Sequence, residues 1–394
     1  MKKESQKEYK RIKYIVSYDC PENYSENRVN ILASSNKIDY IVHKINEIGY
    51  GVDLISTSQT KNNKFYRGKL LYRGVNTLRL FPTTPRGGII KKVINLIVMR
   101  TAIAIYLLKN VKRGEAVIIY HSYGNMWMIN LLKHIKGARI IEEVEEIYGD
   151  IYGKPRLSRK EKHLLSKADA YIFPTELLNK VVNNKGKNYI IIHGSYKLGN
   201  CENLPIKHSA RDGLYHVGYT GILDPKKGCL DFIRSAEYLD SSYCLHVLGF
   251  GSEKELNLLL ETIEYMKEKT NCQIVYDGIK RGSDYDRYLQ ELDAGICPLN
   301  SEDFFVNTQF PSKVISYLAN GISVICSNVA SVKTSDVSDY ITFYEGNSPS
   351  CIANAIKMAR ECKHISDSRQ AILQCDKKFG KELKEFFKKE VNHL

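Results

Sequence analysis

Apolar residues along this chain fall into short runs that end in polar or glycine-rich clusters, separated by stretches with helical spacing. In the first half, KYIVSY (Lys13–Tyr18) and GVDLIST read as strands. Between them, KIDYIVHKINEIGY places Ile38, Ile41, Ile45 and Ile48 on one helical face and stops at Gly49. AVIIYHSYG, ARIIEEVEEIYGD, ADAYIFPT and KNYIIIHGSYK follow as further apolar runs with polar ends. Strands that alternate with helices and end in polar clusters predict a parallel sheet with functional loops at its carboxyl edge.

The rhythm breaks at the polar stretch Leu198–Gly213, which reads as a linker, and then restarts. LYHVGYTG, SYCLHVLGFG, CQIVYDG, AGICPLN, GISVICS and YITFYEG are short strands separated by helices. The expectation is an α/β chain of two units of similar length that make a cleft, residues 1–200 and 201–370, followed by a charged amphipathic tail, 371–394, interrupted near Gly380.

Composition narrows the partners. The 394 residues exceed one hydrophobic core, and 43% hydrophobic with 26% charged residues is the balance of a globular protein. A net charge of +14 asks for an anionic partner: nucleic acid, an anionic membrane surface or a phosphorylated small molecule. Dispersed lysines and no base-stacking motif argue against nucleic acid. The ten cysteines show no CxxC and no histidine-flanked zinc spacing, so they read as buried residues of a reducing compartment, with no metal site expected. The basic start, MKKESQKEYKRIKYIVSY, has no signal-peptide core, which predicts a cytoplasmic protein. Pro85–Gly114 mixes aliphatic residues with Lys91, Lys92, Arg100, Lys109, Lys112 and Arg113. That mixture suits either a helix lying on an anionic membrane or a domain-covering helix with a solvated basic face.

Candidate chemistry concentrates in the second half. GYTGILDPKKG (Gly218–Gly228) follows a strand and precedes a helix. Gly221 permits close approach of a ligand, and Lys227 is placed to meet phosphate oxygens. LGFG ends another strand on Gly249 and Gly251; each glycine also reads as an ordinary turn residue. In NTQFPSKVISYLANGISVICSN, a helix opening near Ser312, with Pro311 at its entry and Ser312 as cap, offers unpaired N–H groups to a diphosphate. Lys313 adds charge, and Ser316 lies one turn in, facing a ribose. Asp284 and Asp286, in DYD, have the form of a metal-binding pair but fall at a helix start, where carboxylates suit the dipole.

These segments, with YDGIKRGSDYDRYLQELDAGICPLN, resemble the carboxyl domain of retaining GT-B glycosyltransferases. The likeness is to family 4 in its capsule and surface-polysaccharide branch, and it runs from about Leu214 to Val332. The amino half is similar more loosely, through KIDYIVHKINEIGYGVDLIS, VIIYHSYGN and EEVEEIY. The resemblance implies two Rossmann-like domains, with a nucleotide-sugar donor on the second, a saccharide acceptor on the first and a tail that returns to the first. The basic Pro85–Gly114 stretch fits an acceptor carried on a lipid diphosphate. The resemblance also implies retention of anomeric configuration with no cofactor or metal.

It further implies that Gly221, Gly249 and Gly251 admit the diphosphate, that Lys227 neutralises it, and that Ile279 meets the base. Phe310, Pro311, Ser312 and Lys313 would line the sugar and phosphates, and His121 would face the reacting sugar. The alternative for His121 is a histidine closing a strand end. Glu143, Glu145 and Glu146 are acceptor-binding candidates, although strand neighbours alternate faces. The family's glutamate pair maps to Thr308 and Ser316, and its loop arginine to Ile222, with Arg281 as a stand-in. Neutral hydroxyls are weaker acceptors than carboxylates. Those departures keep two alternatives open: a nucleotide-sugar epimerase and a non-catalytic partner subunit.

Overall fold

The protein's structure is a computed structural model that describes residues 9–85, 87–199, 204–300, 304–362 and 368–391. The basic start through residue 8, Cys201 and the core of the expected linker lie outside the described residues. The chain forms two compact units, Met1–Ile192 with Phe379–Leu394, and His193–Lys378.

The first unit is built on β1 (Lys10–Val16), β2 (Tyr50–Ser56), β3 (Lys69–Arg73), β4 (Asn76–Leu80), β5 (Ala116–Tyr120), β6 (Arg139–Glu143), β7 (Ala170–Phe173) and β8 (Tyr189–Ile191). The sheet order is β3-β4-β2-β1-β5-β6-β7-β8. All neighbours are parallel except β3 and β4. Inner strands such as β2 are buried on both faces, which is why their sequence reads as a nearly continuous apolar run. The helix Leu32–Glu47 buries Ile38, Ile41 and Ile45 as their spacing predicts, and Gly49 ends it at φ +95°. The β3–β4 hairpin had no counterpart in the hydrophobic pattern, because it forms the sheet's half-exposed edge.

The second unit has β9 (Tyr215–Ile222), β10 (Tyr243–Phe250), β11 (Gln273–Gly278), β12 (Ala294–Cys297), β13 (Ser323–Ser327) and β14 (Ile341–Tyr344), all parallel, in the order β11-β10-β9-β12-β13-β14. Strand order reverses between β9 and β12, so the carboxyl ends of these two strands diverge around a crevice, where ligands of such sheets bind. Val217, Tyr219, Leu245, Val247 and Ile296 pack against Phe232, Ile233, Leu259 and Ile356 of the covering helices.

Two expectations are corrected. The described part of the polar stretch is no free linker: the backbone N–H of Gly199 donates to Ala319 and that of His208 to Glu291, both inside the second unit, which begins at His193. The last helix, Ser368–Glu390, runs unbroken through Gly380. A mid-helix glycine costs only about 1 kcal/mol. The helix buries Phe379, Leu383, Phe386 and Phe387, each contributing roughly 1.5–3 kcal/mol. Phe379 meets Tyr40 at 5.9 Å, Phe387 meets Tyr50 at 5.2 Å, and the Arg139 guanidinium donates to buried Glu390. Among the described residues no helix is long and apolar enough to cross a membrane.

Candidate functional site

At the crevice of the second unit, glycine spacing sets what can approach. Gly221 closes β9 at φ +134°, and a methyl group there would lie 2.9 Å from Lys313 Cε. Gly249 is its partner on β10, and a methyl there would sit 1.9 Å from the Gly221 carbonyl oxygen. Gly251 is confined in the same way by Leu223 and Glu255. After β9, the Asp224 carboxylate accepts the Lys226 N–H at 2.9 Å, and Pro225 fixes a single 3-10 turn through Lys227. The exposed Lys227 side chain is thereby carried beside the strand end.

The helix Ser312–Ala319 begins at the same place. Pro311 is its N-cap, and no side chain caps it. Ser312 is therefore the first helical residue, not the cap expected of it, and the N–H groups of the first turn keep their positive end uncovered. Lys313 lies with Nζ 3.6 Å from the Tyr219 ring centroid. Burial holds its ammonium down to about 8, with Lys227 pushing the same way and the Cys297 and Cys229 thiols opposing. Among the described residues neither Lys227 nor Lys313 pairs with a carboxylate. Two cations and a bare helix start thus concentrate positive potential at the carboxyl end of β9.

The remaining donor-side candidates separate. Phe310 stacks on His193, centroids 4.5 Å apart. Thr308 is half-buried and already engaged in polar contact. Ser316 does not stand free for a ribose: its hydroxyl donates to Tyr285 at 3.4 Å, and Tyr285 continues to Thr220 and Tyr317, each step 3.1 Å. Ile279 is 55% exposed after Gly278, and Arg281 is exposed beyond it, so both are open to a ligand and neither reaches the lysine pair by a recorded contact. Asp284 and Asp286 occupy the first turn of the helix Ser283–Glu291 as expected, and Asp286 accepts from Asn320 at 3.3 Å.

In the first unit His121 follows β5 at that sheet's own reversal of strand order. Its ring is 2% exposed, and Nε2 lies 2.7 Å from Glu161 Oε1. Glu161 also accepts the N–H groups of Tyr148 and Gly149 at 2.9 and 2.8 Å. His121 is thus a buried, anchored ring, closer to the strand-closing alternative than to an exposed base.

Glu143 ends β6 fully buried, accepting from the Tyr14 hydroxyl, with Lys37 Nζ 4.0 Å away. Lys37 bridges to Glu145, so these two glutamates act as a unit, and the half-buried Glu146 shares Tyr120 with both as an electrostatic neighbour. Burial raises the Glu143 carboxyl, Lys37 opposes, and Glu145 adds to the rise. Glu142 points to the opposite face, where both oxygens lack hydrogen-bond partners. Burial first, and then the Glu143 charge, push its carboxyl well above the usual carboxylate range.

Tyr14, Lys37, Glu142 and Glu161 were not among the sequence candidates. Lys37 sat inside a helical repeat and carried no signal of its own. A buried group of His216, Cys244 and His246 also departs from the expectation that no metal-type cluster forms.

No known protein family's sequence profile matches the chain, and no curated protein does either. Solved structures match its fold over nearly full length. A UDP-forming alpha,alpha-trehalose-phosphate synthase from Burkholderia vietnamiensis aligns with TM-score 0.70 at 8% identity, over 98% of this chain and 99% of its own. An E. coli trehalose-6-phosphate structure bound with UDP-2-fluoro glucose aligns with TM-score 0.65 at 12%, covering 98% and 99%. The catalytic domain of Starch Synthase IV from Arabidopsis thaliana, bound to ADP and acarbose, aligns with TM-score 0.65 at 12%, covering 98% and 100%. The two-domain fold is that of GT-B glycosyltransferases.

Proposed function

We propose that the chain is a metal-independent, retaining glycosyltransferase that takes a sugar from a nucleotide-sugar bound to the second unit. The acceptor is a saccharide, carried on a lipid diphosphate, in bacterial surface-polysaccharide synthesis. The observation that carries the reading is that Lys227 and Lys313, without a carboxylate partner among the described residues, act on one another at the uncapped start of the Ser312–Ala319 helix, at the sheet's reversal point. UDP-2-fluoro glucose and ADP bound to proteins of this fold support a nucleotide donor.

In transfer, the bond from the anomeric carbon to the diphosphate breaks as the acceptor oxygen bonds to the same face. The acceptor proton passes to a diphosphate oxygen. Negative charge grows on the leaving group, so cations and oriented N–H groups held there in advance lower the barrier. The Glu143–Glu145–Lys37 unit of the first domain is the acceptor-hydroxyl candidate.

The membrane side of the reading rests on the helix Ile89–Asn110. It buries Asn95, Met99, Ile103 and Leu107 and leaves Ile90, Ile94, Ile97 and Ile105 exposed beside Lys91, Lys92 and Lys109. An aliphatic stripe flanked by lysines suits the interface of an anionic bilayer, where the protein would act peripherally on the cytoplasmic face.

The test is a panel of nucleotide-sugars scored by thermal shift, followed by turnover with the stabilising donor. A bound donor raises the melting temperature by mass action. Lys227→Ala is expected to lower turnover about a hundredfold or more. Near-normal turnover in that variant would remove the proposed role. A second reading, a non-catalytic partner subunit, is favoured by the engagement of Ser316 with Tyr285 where the resemblance expects a glutamate; it predicts donor binding without turnover. Formation of an epimer from donor alone would instead identify an epimerase.

A further inference from the structure

The amino ends of β9 and β10 hold a cluster that the sugar chemistry does not use. His216 is the second residue of β9, and Cys244, its register partner, is the second of β10 with His246 two places on. The three are buried, at 3%, 2% and 6% exposure. His216 Nδ1 lies 2.8 Å from His246 Nε2, Cys244 Sγ lies 3.3 Å from the same nitrogen, and the three atoms all fall within 4.8 Å of one another.

The outer nitrogens settle what the inner ones offer. His216 Nε2 faces Asp212 Oδ1 at 3.0 Å, and His246 Nδ1 faces Asp277 Oδ2 at 2.9 Å. Asp212 is itself held by the Leu214 N–H at 3.0 Å, and Asp277 by the Tyr288 hydroxyl at 2.9 Å. When each ring donates its outer N–H to a carboxylate, both inner nitrogens present lone pairs to each other. Two facing lone pairs and a thiol sulfur repel unless something positive sits between them. A carboxylate behind each imidazole is also the arrangement that orients histidines bound to a metal.

We propose that His216 Nδ1, His246 Nε2 and Cys244 Sγ bind a zinc ion, with Asp212 and Asp277 as the carboxylates behind the two imidazoles. Zinc bonds of about 2.0–2.3 Å put tetrahedral ligand atoms about 3.3–3.6 Å apart, so the two nitrogens must part by about half an ångström and the sulfur must move from His246 by about a quarter. Thiolate and the two carboxylates offset the ion's charge. The fourth position goes to water on the side covered by His208, whose ring lies 5.1 and 5.6 Å from those of His216 and His246.

The role is structural. Gly221 lies five steps along the strand from His216, roughly 16 Å, so the ion is remote from the two lysines. It joins β9 and β10 to Asp277 on β11 and to the turn Ser209–Asp212 that leads into the sheet.

The test uses the full chain, purified without a histidine tag. Metal analysis is expected to find about one zinc per chain, and a strong chelator to lower the melting temperature. Cobalt added to the chelated protein is expected to give the visible bands of a tetrahedral site with a thiolate charge-transfer band. Cys244→Ser should lose that band, and His216→Ala should lower cobalt occupancy at least tenfold. Because either variant may misfold, the wild-type spectrum decides by itself. No zinc above background together with no tetrahedral cobalt spectrum would overturn the proposal and leave a shared proton as the occupant. A charge-transfer band undiminished in folded Cys244→Ser would overturn the ligand assignment.

Discussion

Lys313 carries the most quantitative prediction. Its ammonium is held near 8, against an ordinary 10.5, first by burial and then by Lys227. A diphosphate bound between the two lysines favours the charged form, so binding to the free protein requires protonation. The apparent dissociation constant then grows as one plus ten to the power of pH minus 8, which is about tenfold between pH 7 and pH 9. The phosphate's own last ionisation, near pH 6, is complete over that window and contributes nothing.

Lys313→Met should bind a nucleoside diphosphate about 10- to 100-fold more weakly at pH 7, the loss of one charged hydrogen bond, and its affinity should not change with pH. The same variant should melt higher than wild type without ligand. The folded state resists a proton that the unfolded chain takes up, so wild-type stability rises as pH climbs through the interval from about 8 to 10.5. The melting gap is therefore widest below pH 8 and closes above it. Isothermal titration with a nucleoside diphosphate from pH 7 to 9, alongside melting curves of both proteins, is the assay. Wild-type affinity that stays flat across that range, or Lys313→Met binding like wild type, refutes the reasoning.

Three further outcomes are expected. Burial holds the Glu143 carboxyl near 7 against an ordinary 4.5, so the folded state keeps a proton that the unfolded chain releases. Stability should fall as pH rises from about 4.5 to about 7, and Glu143→Gln should flatten the melting curve over that interval. In flotation with anionic vesicles the wild type should rise with lipid and Ile94→Glu with Ile97→Glu should not; wild type left in the soluble fraction would end the membrane reading. A free nucleoside diphosphate carries more charge than its sugar-bearing donor, so it should bind more tightly, checked by competition. A donor that binds tenfold more tightly than its product would show that the sugar, not the charge, dominates recognition.

The parts of the fold that were legible in the sequence are those whose signal is local. Parallel strands buried on both faces write themselves as apolar runs, and the Ile38–Ile45 spacing wrote a helix. The β3–β4 edge, with one face half-exposed, left no such run, and Gly380 was overread because a propensity of about 1 kcal/mol was weighed without the aromatic packing on either side. At the site, glycine turns and lysines were visible as residue types. That Lys227 and Lys313 lack carboxylate partners among the described residues, and that Glu161 holds His121 from forty positions away, depend on distances between elements. The His216–Cys244–His246 group was illegible for the same reason: Cys244-Leu245-His246 is a short motif, but its third member is brought across by strand register.

The replacements at Thr308 and Ser316 look different once the neighbours are counted. A carboxylate at 316 would face the Tyr285 hydroxyl and the buried Thr220–Tyr317 pair, a chain of hydroxyls that reaches the Ile296 carbonyl. Burying a charge there without a cation is costly, because hydroxyls alone do not replace its solvation. The hydroxyl chain and the serine are therefore mutually consistent. On the proposed reading the pocket is built without an acidic pair, and recognition of the anionic leaving group falls to Lys227, Lys313 and the helix start. The sugar would then be selected by shape and neutral hydrogen bonds, which discriminate less steeply than a charged acceptor does.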